Sequence, residues 1–257
     1  MKYDIEYACI CNVGKRRQMN QDNFICNGII RKENETIRYP LTGCLKTGEK
    51  RVFGVFDGMG GEQKGEQASL IAAMEALFIK ETEQPVKELE RFCTQANKAI
   101  CEYADENNIY STGTTAALLM FCEKEIALCN IGDSKIFRWS MGKMSQISVD
   151  HSMPSPFGGK APLSQNLGIP EDEMLIEPYV AIGKYHNKDI YLICSDGLTD
   201  MVPEPAIAKI LSSGDIRTAV EKLEKAALDN GGKDNLTIIL CKVKWQRPKF
   251  SDIFGSK

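Results

Sequence analysis

Aspartates that follow short apolar runs are the feature of this sequence that most restricts its fold. Residues 52–56 lead directly into Asp57, and residues 189–194 lead, after one serine, into Asp196; a glycine follows each aspartate. Apolar runs of this length, bounded by turn residues, are typical of buried strands. A carboxylate at the end of a buried strand is costly unless it is protonated, hydrogen-bonded or metal-bound. The sequence therefore predicts strands that end at a shared polar edge.

Hydrophobic periodicity predicts most of the other elements. Residues 3–11 alternate between apolar and polar side chains, which predicts a half-buried strand. Two apolar stripes predict amphipathic helices that face the core: Leu70, Ile71, Met74, Leu77 and Phe78, then Val86, Leu89, Cys93, Ala96, Ile100 and Tyr103. Apolar runs joined by short turns predict an antiparallel meander over residues 114–122, 125–131, 135–139 and 144–149. Helices at residues 207–211 and 216–227 then precede a final strand at 236–245.

The order of these elements favours a layered α+β domain. Strands are grouped together and helices come in pairs, unlike the alternation of βαβ units. A chain of 257 residues fits one large domain, and no linker-like segment divides it. We therefore expect a single domain over residues 1–245 and a C-terminal tail over residues 246–257. The proline-rich residues 150–183 show no long periodicity and are expected to form a surface flap.

Charge and cysteine content argue against several classes of protein. The 32 Lys and Arg against 35 Asp and Glu give a net charge of −3, without the positive excess that binds a nucleic-acid backbone. No apolar stretch is long enough for a bilayer, and acids near the N-terminus replace the basic region of a signal peptide, so we expect a cytoplasmic protein. The 10 cysteines lack a Cys-x-x-Cys pair and are expected to be reduced, and only 2 histidines argue against structural zinc.

Four aspartates stand beside glycine or asparagine where apolar runs begin or end: Asp57, Asp133, Asp196 and Asp234. Each alone is compatible with a simple turn, because Asp-Gly is a common turn dipeptide. Several such ends brought together would form a cage of oxygen ligands, which hard cations such as Mg²⁺ and Mn²⁺ prefer. The sequence also lacks a Gly-x-x-x-x-Gly-Lys-Ser/Thr loop, which argues against a P-loop nucleotidase. Metal-assisted hydrolysis is thus the leading reaction class.

Seven segments resemble, in order and approximate spacing, the motifs of the metal-dependent protein phosphatases of the 2C type, bacterial members in particular. They are residues 17–22, 55–61, 112–115, 130–134, 150–152, 195–200 and 233–237. The resemblance covers the chain from about Asp4 to Val243. It implies a four-layer α-β-β-α sandwich, in which two antiparallel sheets are flanked by helix pairs.

The resemblance also implies a binuclear Mn²⁺ or Mg²⁺ site at one edge of the sandwich. Asp57 would bridge the two ions, and the Gly58 carbonyl would bind one of them. Asp196 and Asp234 would complete the coordination of the other ion. Asp22 would act mainly through metal-bound water.

Further expectations from the resemblance concern a third ion and the substrate. Asp133, together with Asp196, matches a weaker third metal site. Arg17 matches the arginine that binds the substrate phosphate, a role that suits a planar and permanently charged guanidinium. The sequence departs from the usual family pattern at three positions: Gln21, Met59 and Lys135.

The implied activity is Mn²⁺- or Mg²⁺-dependent hydrolysis of phosphoserine and phosphothreonine in proteins. Its catalytic residues would be Arg17, Asp22, Asp57, Asp196 and Asp234. The partners would be phosphoproteins and a bacterial Ser/Thr kinase that the enzyme opposes, with the chain acting as a monomer without nucleic-acid or membrane partners. Two alternatives stay open: a catalytically weak phosphoprotein-binding module of the same fold, and a hydrolase of small phosphoesters. A degraded module should lack at least one metal-binding aspartate, whereas all are present.

Overall fold

The computed structural model describes residues 3–33, 35–37, 39–46, 52–59, 64–123, 125–155 and 161–246. The expected C-terminal tail, apart from Gln246, and the glycine pair at residues 60–61 lie outside the described residues. No helix in the described part of the chain is both long and apolar enough to cross a membrane.

Two antiparallel sheets of six strands each form the centre of the structure. The first contains β1 (Tyr3–Asn12), β4 (Leu41–Leu45), β8 (Lys135–Ser140), β9 (Lys143–Gln146), β11 (Ile190–Cys194) and β12 (Leu236–Trp245), in the spatial order β4-β1-β12-β11-β8-β9. The second contains β2 (Asp22–Cys26), β3 (Ile29–Ile30), β5 (Val52–Asp57), β6 (Ala116–Phe121), β7 (Ile126–Ile131) and β10 (Tyr179–Gly183), in the order β10-β7-β6-β5-β2-β3.

Helices cover the outer face of each sheet. They are α1 (Gly65–Ala76) and α2 (Pro85–Glu106) on the second sheet, then α3 (Asp196–Thr199), α4 (Glu204–Leu211) and α5 (Ile216–Asp229) on the first. Pro85 occupies the first turn of α2, where its missing N–H is not needed. The Asp215 side chain accepts a hydrogen bond from the Arg217 amide and so caps α5.

Three apolar layers hold the sandwich together. The layer between the sheets includes Phe53 and Tyr191. A second layer, with Phe56 and Phe92, lies between the second sheet and the helices α1 and α2. A third, with Leu223, lies between the first sheet and the helices α4 and α5. The four-layer α-β-β-α architecture is thereby confirmed.

The predicted meander is wrong at its centre. Strand β6 pairs with β7 in the second sheet, and β8 pairs with β9 in the first. The segment between β7 and β8 instead crosses from one sheet to the other. Gly132 makes this crossing at φ 98°, in a backbone region where a side chain is strained, and a Cβ there would also press against Thr115. The crossing places Asp133 at an edge of the sandwich.

The apolar stripe predicted for the first helix is wrong in part, because Ile71 and Leu77 pack against the core but the fully buried face lies elsewhere. The helix ends at Ala76, and Met74 and Phe78 are 48% and 64% exposed. Small side chains form the buried face instead: Gly65, Ala68, Ser69, Ala72, Ala73 and Ala76. Small residues let α1 lie close to α2 and to the sheet, and this contact outweighs the larger side chains. The stripe of α2 is confirmed at Leu89, Cys93, Ala96 and Ile100, which are all buried.

Several short elements fall in segments that the sequence pattern assigned to turns. Strand β10 lies within the expected flap, β3 and β4 lie in the polar stretch after residue 28, and α3 begins directly at Asp196. These elements are two to five residues long or a single helical turn, too short for periodicity to detect. All ten cysteines are free, and Cys44, on the edge strand β4, is exposed rather than part of the core.

Candidate metal and phosphate site

The aspartates predicted from strand ends lie at one edge of the sandwich. Asp22 begins β2 and Asp57 ends β5, and the two are direct cross-strand partners. Asp196 starts α3 just after β11, and Asp234 precedes β12, which is the neighbour of β11. The antiparallel register thus brings carboxylates from both sheets together.

Asp22 is completely buried, with one carboxylate oxygen bound and the other open. Its Oδ2 accepts hydrogen bonds from Ser195 Oγ at 2.8 Å and Thr237 Oγ1 at 2.7 Å. Its Oδ1 has no hydrogen-bond partner among the described residues. Burial raises the pKa of Asp22 to about 7, and the charges of Asp196 and Asp234 add to this effect against the two hydroxyl bonds. A buried acceptor without a donor is a place where a cation is expected.

Arg17 lies at the mouth of this edge and binds Asp234. Its Nη2 donates to Asp234 Oδ2 at 2.8 Å, and its side chain is 39% exposed. The hydrogen bond to Asp234 raises the pKa of Arg17, and the charges of Asp57 and Asp196 raise it further. One partly exposed guanidinium therefore stands in the field of three carboxylates. It has the chemistry to bind a phosphate that approaches from solvent.

Gly58 follows Asp57 in a space that admits no side chain. A Cβ at this position would overlap the carbonyl oxygens of Gly65 and Gln21. The Gly58 amide donates to the Gln21 carbonyl at 3.1 Å, and Gly58 forms an isolated bridge with Thr114. Close main-chain packing thus fixes the position of Gly58, whose carbonyl is the metal ligand that the family resemblance implies.

Asp133 and Asp196 share a cleft of 410 Å³ next to this cluster. Its lining contains Asp133, Lys135, Asp150, Ser152, Ala161, Asp196, Thr199 and Asp200. Lys135, at the position where the family often has arginine, forms an ion pair with Asp150. His151 binds the main chain of Gly132, because its amide donates to the Gly132 carbonyl and its Nδ1 accepts from the Gly132 amide. His151 thereby fixes the peptide before Asp133.

The residues fit hard divalent cations, although they do not form a closed cage by themselves. Within the described ranges, no three His, Cys, Asp or Glu side chains are close enough together to hold an ion alone. Asp234 is turned toward Arg17. The available ligands are carboxylate and carbonyl oxygens, the set that Mg²⁺ and Mn²⁺ accept with water completing the shell. The open Oδ1 of Asp22 supports this assignment.

Three polar residues of the motifs have a role that the sequence analysis missed. Asn235 accepts the Gln21 amide at 2.8 Å and donates to the Val13 and Met19 carbonyls at 2.9 and 3.0 Å. It therefore ties the loop that carries Arg17 to the loop that carries Asp234. Ser195 and Thr237 orient Asp22 as described above. The sequence does carry a signal for these three residues. Ser195 and Asn235 are direct neighbours of Asp196 and Asp234, and Thr237 lies in the same motif as Asp234.

Sequence comparison connects this geometry with known proteins. A family model described as Protein phosphatase 2C matches residues 42–239. The serine/threonine phosphatase stp of Listeria innocua is 30% identical over an alignment of 208 positions, which covers 72% of this chain and 82% of that protein.

Structural comparison supports the same fold. The catalytic domain of the serine threonine protein phosphatase PstP, solved in complex with two manganese ions, superposes with a TM-score of 0.78 at 23% identity, over 95% of this chain and 100% of that one. The serine/threonine phosphatase Stp1 from Staphylococcus aureus has a TM-score of 0.76 at 26% identity, over 93% and 95% of the two chains.

Proposed function

Because this chain belongs to the protein phosphatase 2C family, whose members are metal-dependent, we propose that it hydrolyses phosphoserine and phosphothreonine in proteins at the edge described above. The observation that carries the proposal is Asp22, a buried carboxylate with an open oxygen. It lies in one field with Asp196 and Asp234, and Arg17 at the mouth contacts Asp234. The serine/threonine phosphatase stp of Listeria innocua supports this substrate class.

Asp57, the Gly58 carbonyl, Asp196 and Asp234 would hold two Mn²⁺ or Mg²⁺ ions, and Asp22 would orient water beside them. Such ions, when bound, supply Lewis acidity, which acidifies water and neutralises charge on a phosphate. Arg17 would bind the phosphate oxygens and stabilise the charge that they gain during transfer. Its exposed position permits access by a phosphorylated side chain of a protein. Asp133 and Asp196 would hold a weaker third ion in the neighbouring cleft.

Finer features belong to the same proposal. We infer that the natural substrates are phosphoproteins of a bacterial cell and that a Ser/Thr kinase opposes the enzyme. We further propose a cytoplasmic setting and a monomeric state. Residues 1–245 would form one catalytic domain, with residues 246–257 as its tail.

The test is hydrolysis of a phosphothreonine peptide by the metal-free protein, with added Mn²⁺ and with chelator. We expect Mn²⁺-dependent release of phosphate that Asp196→Asn abolishes. Asp229→Asn is the matched control, because Asp229 lies exposed at the end of α5 and pairs with Lys225 in the same helix. This control should keep the wild-type rate.

Other outcomes separate the alternatives. A folded protein that binds the peptide but releases no phosphate with any divalent metal would overturn the enzyme and favour a phosphoprotein-binding module. Turnover of p-nitrophenyl phosphate without turnover of any phosphopeptide would favour a hydrolase of small phosphoesters.

A further inference from the structure

Arg31 is a buried cation that no motif of the sequence includes. It follows β3 and is only 5% exposed. Its Nε and Nη2 donate to the Asp22 carbonyl at 3.0 and 2.7 Å, and Nη2 also donates to the Asn20 carbonyl at 2.9 Å. No described carboxylate forms an ion pair with it. A buried guanidinium held by neutral carbonyls is costly, so its presence calls for a purpose beyond packing.

The main chain of residues 20–22 is held from several sides, and Arg31 provides two of the anchors. The Gln21 carbonyl accepts from the Gly58 amide at 3.1 Å and from Ser69 Oγ at 2.6 Å. Arg31 holds the carbonyls on either side of it. The rigid fork of a guanidinium suits two acceptors that lie in fixed positions. The peptide planes that lead into Asp22 are thus fixed by the Gly58 amide together with side-chain donors from Ser69 and Arg31.

The position of Arg31 is itself fixed without help from the carboxylates. Its amide donates to Asn23 Oδ1 at 3.1 Å, and its carbonyl accepts from Asn23 Nδ2 at 2.9 Å. The hairpin of β2 and β3, in which Ile25 pairs with Ile30, brings the residue to this place. Since none of these contacts involves a carboxylate side chain, we expect Arg31 to keep this position whether or not the carboxylate edge holds ions.

We propose that Arg31 is a positioning residue that orients Asp22 and the Arg17 loop before metal ions and phosphate bind. The inference rests on the proposed function, since it concerns the same site. Asp22 supplies the open carboxylate oxygen, and the loop that ends at Asn20 carries Arg17. A guanidinium that holds both carbonyls orders this main chain in advance, so that less conformational entropy is lost when metal ions bind.

The experiment compares Arg31→Lys and Arg31→Met with wild type by calorimetric titration of the metal-free protein with Mn²⁺. Groups that orient metal ligands from behind typically change metal affinity by about 10- to 100-fold, and we expect weakening in this range for Arg31→Met. Arg31→Lys keeps the charge but has a single side-chain nitrogen, so its Mn²⁺ affinity should lie between those of wild type and Arg31→Met. The inhibition constant of inorganic phosphate should rise in the same order.

Arg138→Lys is the matched control. Arg138 also donates through Nε and Nη2 to a single oxygen, that of Asp189, which is 2% exposed. Arg138 is far from the candidate site, because it pairs with Tyr191 near the start of β11, whereas Asp196 follows the end of this strand. Loss of this fork should lower thermal stability and leave the Mn²⁺ affinity at the wild-type value. A purely structural role for Arg31 would produce the same pattern in both arginine variants.

Two results would overturn the proposal. The first is wild-type Mn²⁺ affinity in a folded Arg31→Lys or Arg31→Met variant. The second uses unaltered protein: hydrogen exchange at the amides of Gln21 and Asp22 should be equally slow with chelator and with Mn²⁺, and protection that appears only with Mn²⁺ contradicts a preformed arrangement. Both readouts are independent of turnover. The two proposals can fail separately. If wild type releases no phosphate but Arg31→Met still binds Mn²⁺ more weakly than wild type, the proposed function is refuted and this inference is supported.

Discussion

Replacement of Asp22 by asparagine should stabilise the metal-free protein at alkaline pH. The carboxyl is fully buried, and burial raises its pKa from 3.8 to about 7. A group with a raised pKa in the folded state contributes most below its unfolded pKa, and this contribution is lost as the pH rises through the folded value. Asp22 therefore opposes folding increasingly from about pH 4, where the unfolded chain loses this proton, and most strongly above pH 7, unless a cation compensates the buried charge. Asparagine cannot ionise and removes this penalty.

The size of the effect follows from the shift. A displacement of about 3 pKa units corresponds to about 4 kcal/mol at pH 8, because each unit is worth about 1.4 kcal/mol. The amide of asparagine lacks a partner at this position, which costs about 1 to 3 kcal/mol at any pH. The net gain at pH 8 is then about 1 to 3 kcal/mol, or an increase in Tm of roughly 2 to 10 °C. At pH 5 the penalty in wild type is only about 1 to 2 kcal/mol, which the cost of the unpartnered asparagine amide offsets, so the gain should vanish.

The assay is thermal unfolding of wild type and Asp22→Asn, followed by circular dichroism at pH 5 and pH 8 with chelator. Asp229→Asn again provides the control for a carboxylate-to-amide change on the surface, and its Tm should follow wild type at both pH values. A second series with Mn²⁺ should raise the Tm of wild type more than that of Asp22→Asn. A difference in Tm between wild type and Asp22→Asn that is equal at pH 5 and pH 8 would refute the reasoning.

Three further predictions concern other contacts. Arg17→Lys should raise KM for a phosphothreonine peptide, because an ammonium replaces the planar fork, while the Tm barely changes, since exposed ion pairs are worth about 0 to 1 kcal/mol; steady-state kinetics and unfolding of the same sample test both parts. Gly58→Ala should abolish Mn²⁺ binding in calorimetry, because its Cβ would overlap the Gly65 carbonyl. Ala72→Leu should lower the free energy of unfolding by about 1 to 3 kcal/mol in urea, whereas Met74→Ala, at a position 48% exposed, should change it by about 0.5 kcal/mol or less.

Much of the fold follows from local patterns in the sequence. The predicted final strand at residues 236–245 matches β12, because a long apolar run between a turn and a polar tail leaves little alternative. The buried stripe of α2 was predicted because its apolar side chains recur at helical spacing and polar side chains occupy the positions between them. The first helix was predicted but its buried face was not, because alanine carries little weight in a hydrophobic pattern although it allows the closest packing. Strand β10 was missed since an edge strand requires a neighbour, and no local pattern shows that β7 provides one.

The candidate site was likewise predicted only where a residue leaves a local signal in the sequence. Asp57 and Asp196 stand out because a charge directly after an apolar strand is unusual. Asp22 stands out through its motif, but its burial and its hydrogen bonds could not be predicted, since Ser195 and Thr237 reach it from distant parts of the chain. Arg31 gives no local signal, because its acceptors are main-chain carbonyls that it reaches only after the hairpin has formed.

The most direct test of the central claim is the number of Mn²⁺ ions that the metal-free protein binds, measured by calorimetric titration for wild type and Asp57→Asn. Asp57 is the carboxylate expected to bridge two ions and faces Asp22 across β2 and β5. We expect two ions of high affinity in wild type and loss of at least one in Asp57→Asn, together with loss of phosphothreonine hydrolysis. Equal binding by both proteins, or no binding by folded wild type, would contradict this expectation.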